Sequence, residues 1–111
     1  MDGWRLEKIQ KINWKHFFIL KALFSSETKE LTTPELIIKL KEYFEFYNIR
    51  LSNYEGTRTL LNRQLIVLIE LGLITKFVGS SNIYALNPKY ESIVYSLVVG
   101  FFGLFDLKEA N

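Results

Sequence analysis

The sequence predicts a mainly helical α+β fold that contains one small β-hairpin. Ser52 and Glu55 have the spacing of a capping box, so both side chains can bond to the free N–H groups at a helix start. The apolar pattern of that helix continues to Gly72, which readily adopts the left-handed conformation in which helices end. Two short β-rich runs follow, residues 73–78 and 83–86, and the Gly-Ser-Ser-Asn between them is typical of a turn.

Two further helices are predicted before this segment. Asn13 is a favourable N-cap for a helix over residues 14–25, and residues 30–32 could form a short strand. Thr33 precedes a proline, which disfavours helical geometry at Thr33, so we expect it to cap a helix over residues 34–46. A helix that leads directly into a two-stranded hairpin forms the second half of a winged helix-turn-helix. We therefore predict that fold.

A final helix is predicted from Asn87 and Pro88 to about Leu107, and it is apolar almost all round. One face is enough to cover the core of the domain, so we expect the other face to pack against a second copy of the chain. Ser96 and Gly100 stand four residues apart and would let two such helices approach closely. The alternative is a helix buried within a monomer. The residues expected at the dimer interface are Ile93, Leu97, Val98, Gly100, Phe101, Phe102, Leu104 and Phe105.

The chain of 111 residues is long enough for one domain that buries about 65% of its unfolded surface. We divide it into an N-terminal extension (1–12), a winged-helix domain (13–87) and a C-terminal helix packed on that domain (88–111). The absence of cysteine excludes a disulfide framework and a thiolate metal site. Charges interrupt residues 1–21, which argues against a signal peptide, and the longest uncharged apolar run is shorter than the roughly 20 residues that span a membrane. These features favour a cytoplasmic protein.

The net charge of +2 is modest, but its distribution along the chain is uneven. Residues 1–21 carry five cationic and two acidic side chains, and residues 49–89 also carry five and two, so each segment has a net charge of +3. Residues 22–48 and 90–111 each have a net charge of −2. Positive charge therefore collects on the N-terminal segment and on the helix with its hairpin, as a surface that faces DNA requires.

The helix before the hairpin predicts one buried and one exposed face. Leu61, Leu65 and Leu68 recur on the inward side, whereas Thr59 and Arg63 lie opposite. The candidate DNA contacts are Thr59, Asn62, Arg63, Arg58, Gln64 and Gly56 on the helix, with Lys76, Ser80, Ser81 and Asn82 on the hairpin. The simpler alternative is that these cations are ordinary solvated surface groups.

Each of the strongest candidates suits one part of a duplex. Arg63 can bond to guanine through two N–H groups and Asn62 can bond to adenine in the same way. Thr59 can donate to a phosphate or contact a thymine methyl group, and Arg58 and Lys76 suit the phosphate backbone. The turn of the hairpin contains no lysine or arginine to enter the minor groove.

Residues 61–74, LNRQLIVLIELGLI, resemble the recognition helix of prokaryotic winged-helix regulators of the MarR and ArsR type. In that pattern an apolar residue, a small polar residue and an arginine precede a leucine-rich stretch that ends in Gly-Leu-Val or a similar turn. Arg63 falls on the arginine and Asn62 on the small polar position, while residues 72–74 match the turn. Residues 32–36 resemble the start of the preceding helix in these proteins. The resemblance implies a winged helix over roughly residues 13–90.

The sequence offers no chemistry that an enzyme would need. His16 is the only histidine, and no cysteine or acidic residue stands at a metal-ligand spacing from it. The sequence contains no nucleophile–base arrangement, because there is no second histidine to orient one. No glycine-rich phosphate loop is present either. We therefore expect no catalytic residues, no metal and no cofactor, although a pocket lined by Trp14, Phe17 or Tyr95 could lie between two protomers.

These observations together favour a homodimer that binds double-stranded DNA and regulates transcription, acting as a repressor that occupies an operator. Two competing interpretations stay open. In one, the winged helix is a protein-interaction module whose apolar C-terminal helix docks on a partner. In the other, the same helix anchors the protein at a membrane surface.

Overall fold

The computed structural model describes residues 12–50 and 54–110, with the side chains of 54–57 and 104–110 excepted. Within these residues the fold is mainly helical with a small antiparallel sheet, which confirms the predicted α+β class. The elements follow in the order α1 (Trp14–Ser25), β1 (Glu30–Thr32), α2 (Thr33–Phe46), α3 (Tyr54–Glu70), β2 (Ile74–Phe77), β3 (Ile83–Leu86), a 3₁₀ turn (Pro88–Tyr90) and α4 (Glu91–Ala110).

The sheet has three strands in the order β1-β3-β2, with both neighbouring pairs antiparallel. Tyr84 in the central strand lies opposite Leu31 on one side and Lys76 on the other. Leu31 and Tyr84 are buried, so this face of the sheet covers the helices. The short strand and the hairpin predicted from the sequence are both present, although β2 is one residue shorter at each end.

The first helix begins at the capping residue that the sequence predicts. The side chain of Asn13 accepts a hydrogen bond from the backbone N–H of Lys15 at 3.0 Å. The backbone N–H of Asn13 in turn donates to Nδ1 of His16 at 2.9 Å, so a histidine takes the place that glutamate or glutamine holds in most capping boxes. The two bonds satisfy groups that a helix start otherwise leaves unpaired.

The second helix begins one residue earlier than predicted, because Thr32 rather than Thr33 is its N-cap. Glu35 stands three residues after Thr32, which allows a reciprocal capping box, whereas the residue three after Thr33 is Leu36. The backbone N–H of Thr32 donates to the Glu35 carboxylate at 2.9 Å. Hydrogen bonds from Thr32 lower the pKa of Glu35 below its ordinary value. The capping box therefore outweighs the constraint that Pro34 places on the residue before it.

The third helix ends where the glycine signal predicts. Gly72 has φ of +81°, and its N–H donates to Ile69 O at 3.0 Å while that of Leu73 donates to Leu68 O at 3.1 Å. The side chain of Asn87 then donates to Gly72 O at 2.9 Å, which attaches the chain after β3 to the turn before β2. The predicted cap at Ser52 lies outside the described residues.

The core is built around α1, which contacts α2, α3, α4 and the sheet. Phe18 is completely buried, and rings from three helices surround it at centroid distances of 5.1–6.1 Å: Trp14, Tyr43, Phe44, Tyr47 and Phe102. The ring of Phe17 stacks on Phe101 of α4 at 4.5 Å. These contacts attach the C-terminal helix to the same core as the other elements.

The C-terminal helix is preceded by a short 3₁₀ turn. Asn87 caps that turn and Pro88 is its first residue, so the predicted start signal is used, but the α-helix itself begins at Glu91. It ends at Ala110, three residues beyond the predicted end. Over the described part of the chain, every helix is too short or too polar to cross a bilayer.

Candidate nucleic-acid interface

The inward face of α3 consists of apolar residues that belong to the core. Leu61, Leu65 and Leu68 are all buried, as the periodicity predicts. Gln64 lies beside them with only 9% of its surface exposed. The prediction that Gln64 contacts DNA is therefore corrected, because its side chain lies on the buried side of the helix, one position before Leu65.

The outward face of α3 is polar and cationic over two turns. Arg58, Thr59, Asn62 and Arg63 are all exposed, which agrees with the face predicted from the helical spacing. The structure adds Ile66, which is 57% exposed and lies one turn after Asn62. The sequence contains the signal for it, because residues 59, 62, 63 and 66 share one helical face. Gly56 belongs to the same helix, but it is not among the residues whose exposure the structure describes.

The hairpin presents a mixed polar and apolar surface. Lys76, Ser80 and Ser81 are exposed and Asn82 is half-buried. Phe77 and Val78 are also 54% and 80% exposed, and neither was predicted as a functional residue. Two large apolar groups in consecutive positions at the end of a strand are the signal that could have identified them.

The cations of this surface have no acidic partner among the described residues. Arg58, Arg63 and Lys76 each lie more than 4 Å from every described carboxylate. Exposed cations without a partner are free to contact phosphate groups, and each contact would release counterions from the duplex. The surface formed by Arg58, Thr59, Asn62, Arg63, Ile66 and Lys76 is called the α3 surface below.

The inward face of α4 contains several residues that the sequence assigned to a dimer interface. Phe102 is only 3% exposed and its ring lies 5.1 Å from Phe18, so its assignment to the interface is corrected: the core of the same chain covers it. Val98 and Phe101 are half-buried against the same core. Ile93 and Leu97 are half-buried as well, while the side chains of Leu104 and Phe105 lie outside the described residues.

The outward face of α4 carries a different set of residues. Gly100 is exposed as predicted, and a Cβ atom added to it would meet no atom within 4 Å. Tyr95 and Val99 are 53% and 49% exposed on this face, with the exposed Ser96 between them along the helix. Tyr95, Ser96, Val99 and Gly100 form the α4 surface. The sequence could not separate this face from the inward one, because both are apolar.

The described residues include no cluster of three or more metal-binding side chains. His16 is 1% exposed, and burial lowers its pKa below the ordinary value of 6.5, with a further lowering from nearby Lys15. A neutral histidine whose Nδ1 already accepts the Asn13 N–H is a structural group of the capping box.

Comparison of the chain with protein-family models gives no match, and comparison with curated protein sequences gives no similar protein. The resemblance to regulators of the MarR and ArsR type therefore rests on residues 61–74 and their neighbours alone. What the residues of the α3 and α4 surfaces do is argued from their geometry and chemistry.

Proposed function

We propose that this chain is a winged helix-turn-helix protein that binds double-stranded DNA as a cytoplasmic homodimer and represses transcription by occupying an operator. The observation that carries the proposal is the α3 surface. It combines two unpaired arginines with hydrogen-bonding and apolar groups on one exposed helical face. The helix then passes directly through Gly72 into the hairpin that bears Lys76. An α-helix fits the major groove, where such side chains can distinguish base pairs.

The individual roles follow from side-chain chemistry. Arg63 bonds to O6 and N7 of guanine, and Asn62 bonds to adenine. Ile66, one turn further along the same face, contacts a thymine methyl group. Arg58 and Lys76 bond to phosphates and so set the position of α3 without reading sequence.

The proposed dimer is formed through the α4 surface. Val99 and Tyr95 supply apolar area, and Gly100 and Ser96 allow close approach of a second α4. A symmetric dimer presents two α3 helices, which meet successive major grooves about 34 Å apart on a pseudo-palindromic site. The described part of the chain measures 38 × 36 × 27 Å, which is of the same order as this spacing.

The DNA proposal is tested with duplexes selected from a randomised pool, titrated at about 50 mM and 200 mM salt. Arg63→Ala should weaken binding by about 5- to 150-fold and relax the preference at one base position. Arg58→Ala should weaken binding to all sequences alike and reduce the salt slope by about 0.9. Lys39→Ala is the matched control, because Lys39 is an exposed cation on α2 that pairs with Glu42. Absence of binding at the lower salt concentration would refute the proposal.

The dimer is tested separately by light scattering at micromolar concentration. Val99→Glu places a charge on the α4 surface and should give a monomer with an unchanged helical spectrum. Ile38→Glu is the control, because Ile38 is 56% exposed on α2 and lies outside the α4 surface. A parent chain that is monomeric, or a Val99→Glu variant that stays dimeric, would contradict the role given to this surface.

The exposed apolar groups of α4 also favour a second function. The α4 surface could bind another protein, with the winged helix acting as an interaction module. If this second function is correct, the protein should show no salt-dependent binding to DNA. The Val99→Glu substitution should then abolish capture of the partner protein. The DNA titration therefore separates the two functions before any partner is known.

A further inference from the structure

A cavity of about 310 Å³ lies between α1 and the C-terminal end of α2. Its walls are formed by Lys21, Glu42, Tyr43, Phe46 and Tyr47. Phe46 lines the cavity and is 72% exposed, while Tyr43 and Tyr47 pack against the core. None of these residues belongs to the α3 surface or to the α4 surface.

The ammonium group of Lys21 is held among aromatic rings. Its Nζ lies 4.2 Å from the ring centroid of Phe102 and 5.2 Å from those of Tyr43 and Tyr47. It also donates a hydrogen bond to the Tyr47 hydroxyl at 2.9 Å. The ring faces attract the positive charge and hold the ammonium group in a partly buried position.

This charge has no counter-ion in the described part of the chain. No carboxylate of residues 12–50 or 58–103 lies within 4 Å of Lys21 Nζ. Glu42 also lines the cavity, but its carboxylate is 59% exposed and its nearest cation is Lys39 at 3.7 Å. An ammonium group has three N–H donors. Within the described part of the chain, Lys21 uses one of them, in the hydrogen bond to Tyr47.

We propose that the cavity is a binding site for a small organic monoanion with a flat apolar body. The carboxylate of the ligand accepts hydrogen bonds from Lys21 Nζ, and its ring lies against Tyr43 and Phe46. The volume falls at the lower end of the range for small-molecule sites, and the walls combine three aromatic rings with the two charged side chains of Lys21 and Glu42. The cavity has one cation, Lys21, and it lies beside Glu42, so a ligand with one negative charge is favoured. A phosphate or a dicarboxylate would bring a second negative charge close to the glutamate, with no second cation to balance that charge.

Benzoate is a suitable probe, and benzamide is its neutral analogue of the same shape. Aromatic NMR signals of the parent should shift saturably with benzoate at about millimolar concentration and should respond at least tenfold more weakly to benzamide. Lys21→Met keeps much of the length of the side chain without its charge and should weaken benzoate binding by about 10- to 100-fold. Lys89→Met is the matched control, because Lys89 Nζ lies 5.4 Å from the Tyr90 ring but outside the cavity. That control should bind benzoate as the parent does.

A second variant keeps the test decisive if Lys21→Met unfolds. Phe46→Ala removes an exposed ring, so the domain should stay folded while benzoate binding weakens by about 2- to 10-fold. Three results would overturn the proposal: no saturable shift with benzoate, equal binding of benzamide, or parent-like binding by both Lys21→Met and Phe46→Ala. None of these results depends on DNA binding, so this proposal and the proposed function can fail independently.

Discussion

His16 should make the stability of this protein depend on pH in a narrow range. The side chain is 1% exposed, its Nδ1 accepts the Asn13 N–H at 2.9 Å, and its Nε2 has no hydrogen-bond partner among the described residues. A protonated imidazole would lose the acceptor at Nδ1 and bury a charge. Burial therefore lowers the pKa of His16 in the folded protein below the ordinary 6.5, and Lys15 adds to the effect.

The direction and size of the effect follow from proton linkage. Above pH 6.5 the histidine is neutral in both states, so it contributes no pH dependence. Below pH 6.5 the unfolded chain binds a proton that the folded protein does not bind, so the free energy of unfolding falls as the pH falls. The slope is at most about 1.4 kcal/mol per pH unit until the folded pKa is reached. For a domain of this size that corresponds to a decrease in Tm of about 5 °C per unit.

Thermal unfolding followed by circular dichroism between pH 7.5 and 5.0 measures this slope. His16 is the only histidine, and the lowered pKa of Glu35 moves its effect below the ordinary 4.5, so the two contributions are separated. His16→Gln is the control, since glutamine is a usual capping-box residue at this position and does not titrate. The variant should show a flat Tm across the range. A flat Tm in the parent, or an equal slope in the variant, would refute the assigned state of His16.

Four other substitutions test the packing, the turn at Gly72 and the helix cap by thermal unfolding. Phe18→Ala removes a ring that five others surround, and it should lower the free energy of unfolding by about 3–5 kcal/mol and Tm by about 15 °C. A loss below about 1 kcal/mol would contradict the central place of Phe18. Gly72→Ala should lower the free energy of unfolding by about 1–2 kcal/mol, because a residue with a Cβ is strained at φ of +81°. The added Cβ itself would lie at an ordinary 3.6 Å from Tyr90, so no steric clash adds to this loss. Thr32→Ala should lower the free energy of unfolding by about 1 kcal/mol, and Thr33→Ala should lower it much less. The opposite order would show that Thr33 is the N-cap of α2.

Local signals in the sequence were enough to place most of the helices and strands. The bounds of α1 follow from Asn13 and an apolar pattern, and the end of α3 follows from Gly72, because each signal acts within one turn of the chain. The cap of α2 shows how two local signals can compete. The proline favoured Thr33, but the glutamate at position 35 made a better hydrogen-bonded cap of Thr32.

The orientation of α4 could not be predicted in the same way. A helix that is apolar all round has no periodicity to show which face the core covers. Phe102 was therefore assigned to the outward face although the core buries it, and the exposure of Val99 was not predicted. The cavity beside Lys21 was also beyond reach, because Lys21 of α1 and the residues at the C-terminal end of α2 are more than 20 positions apart in the sequence and meet only when the chain is folded.

The helix α1 connects the two surfaces that the proposed function requires. It contacts both α3 and α4, and the stacked rings of Phe17 and Phe101 together with the ring of Phe18 against Phe102 hold α4 in position. In a symmetric dimer formed through the α4 surface, the separation of the two α3 helices depends on the angle between α3 and α4 within each protomer. The proposed function therefore predicts that the spacing of the DNA half-sites depends on how α3 and α4 pack against α1, and not only on the residues proposed to contact DNA.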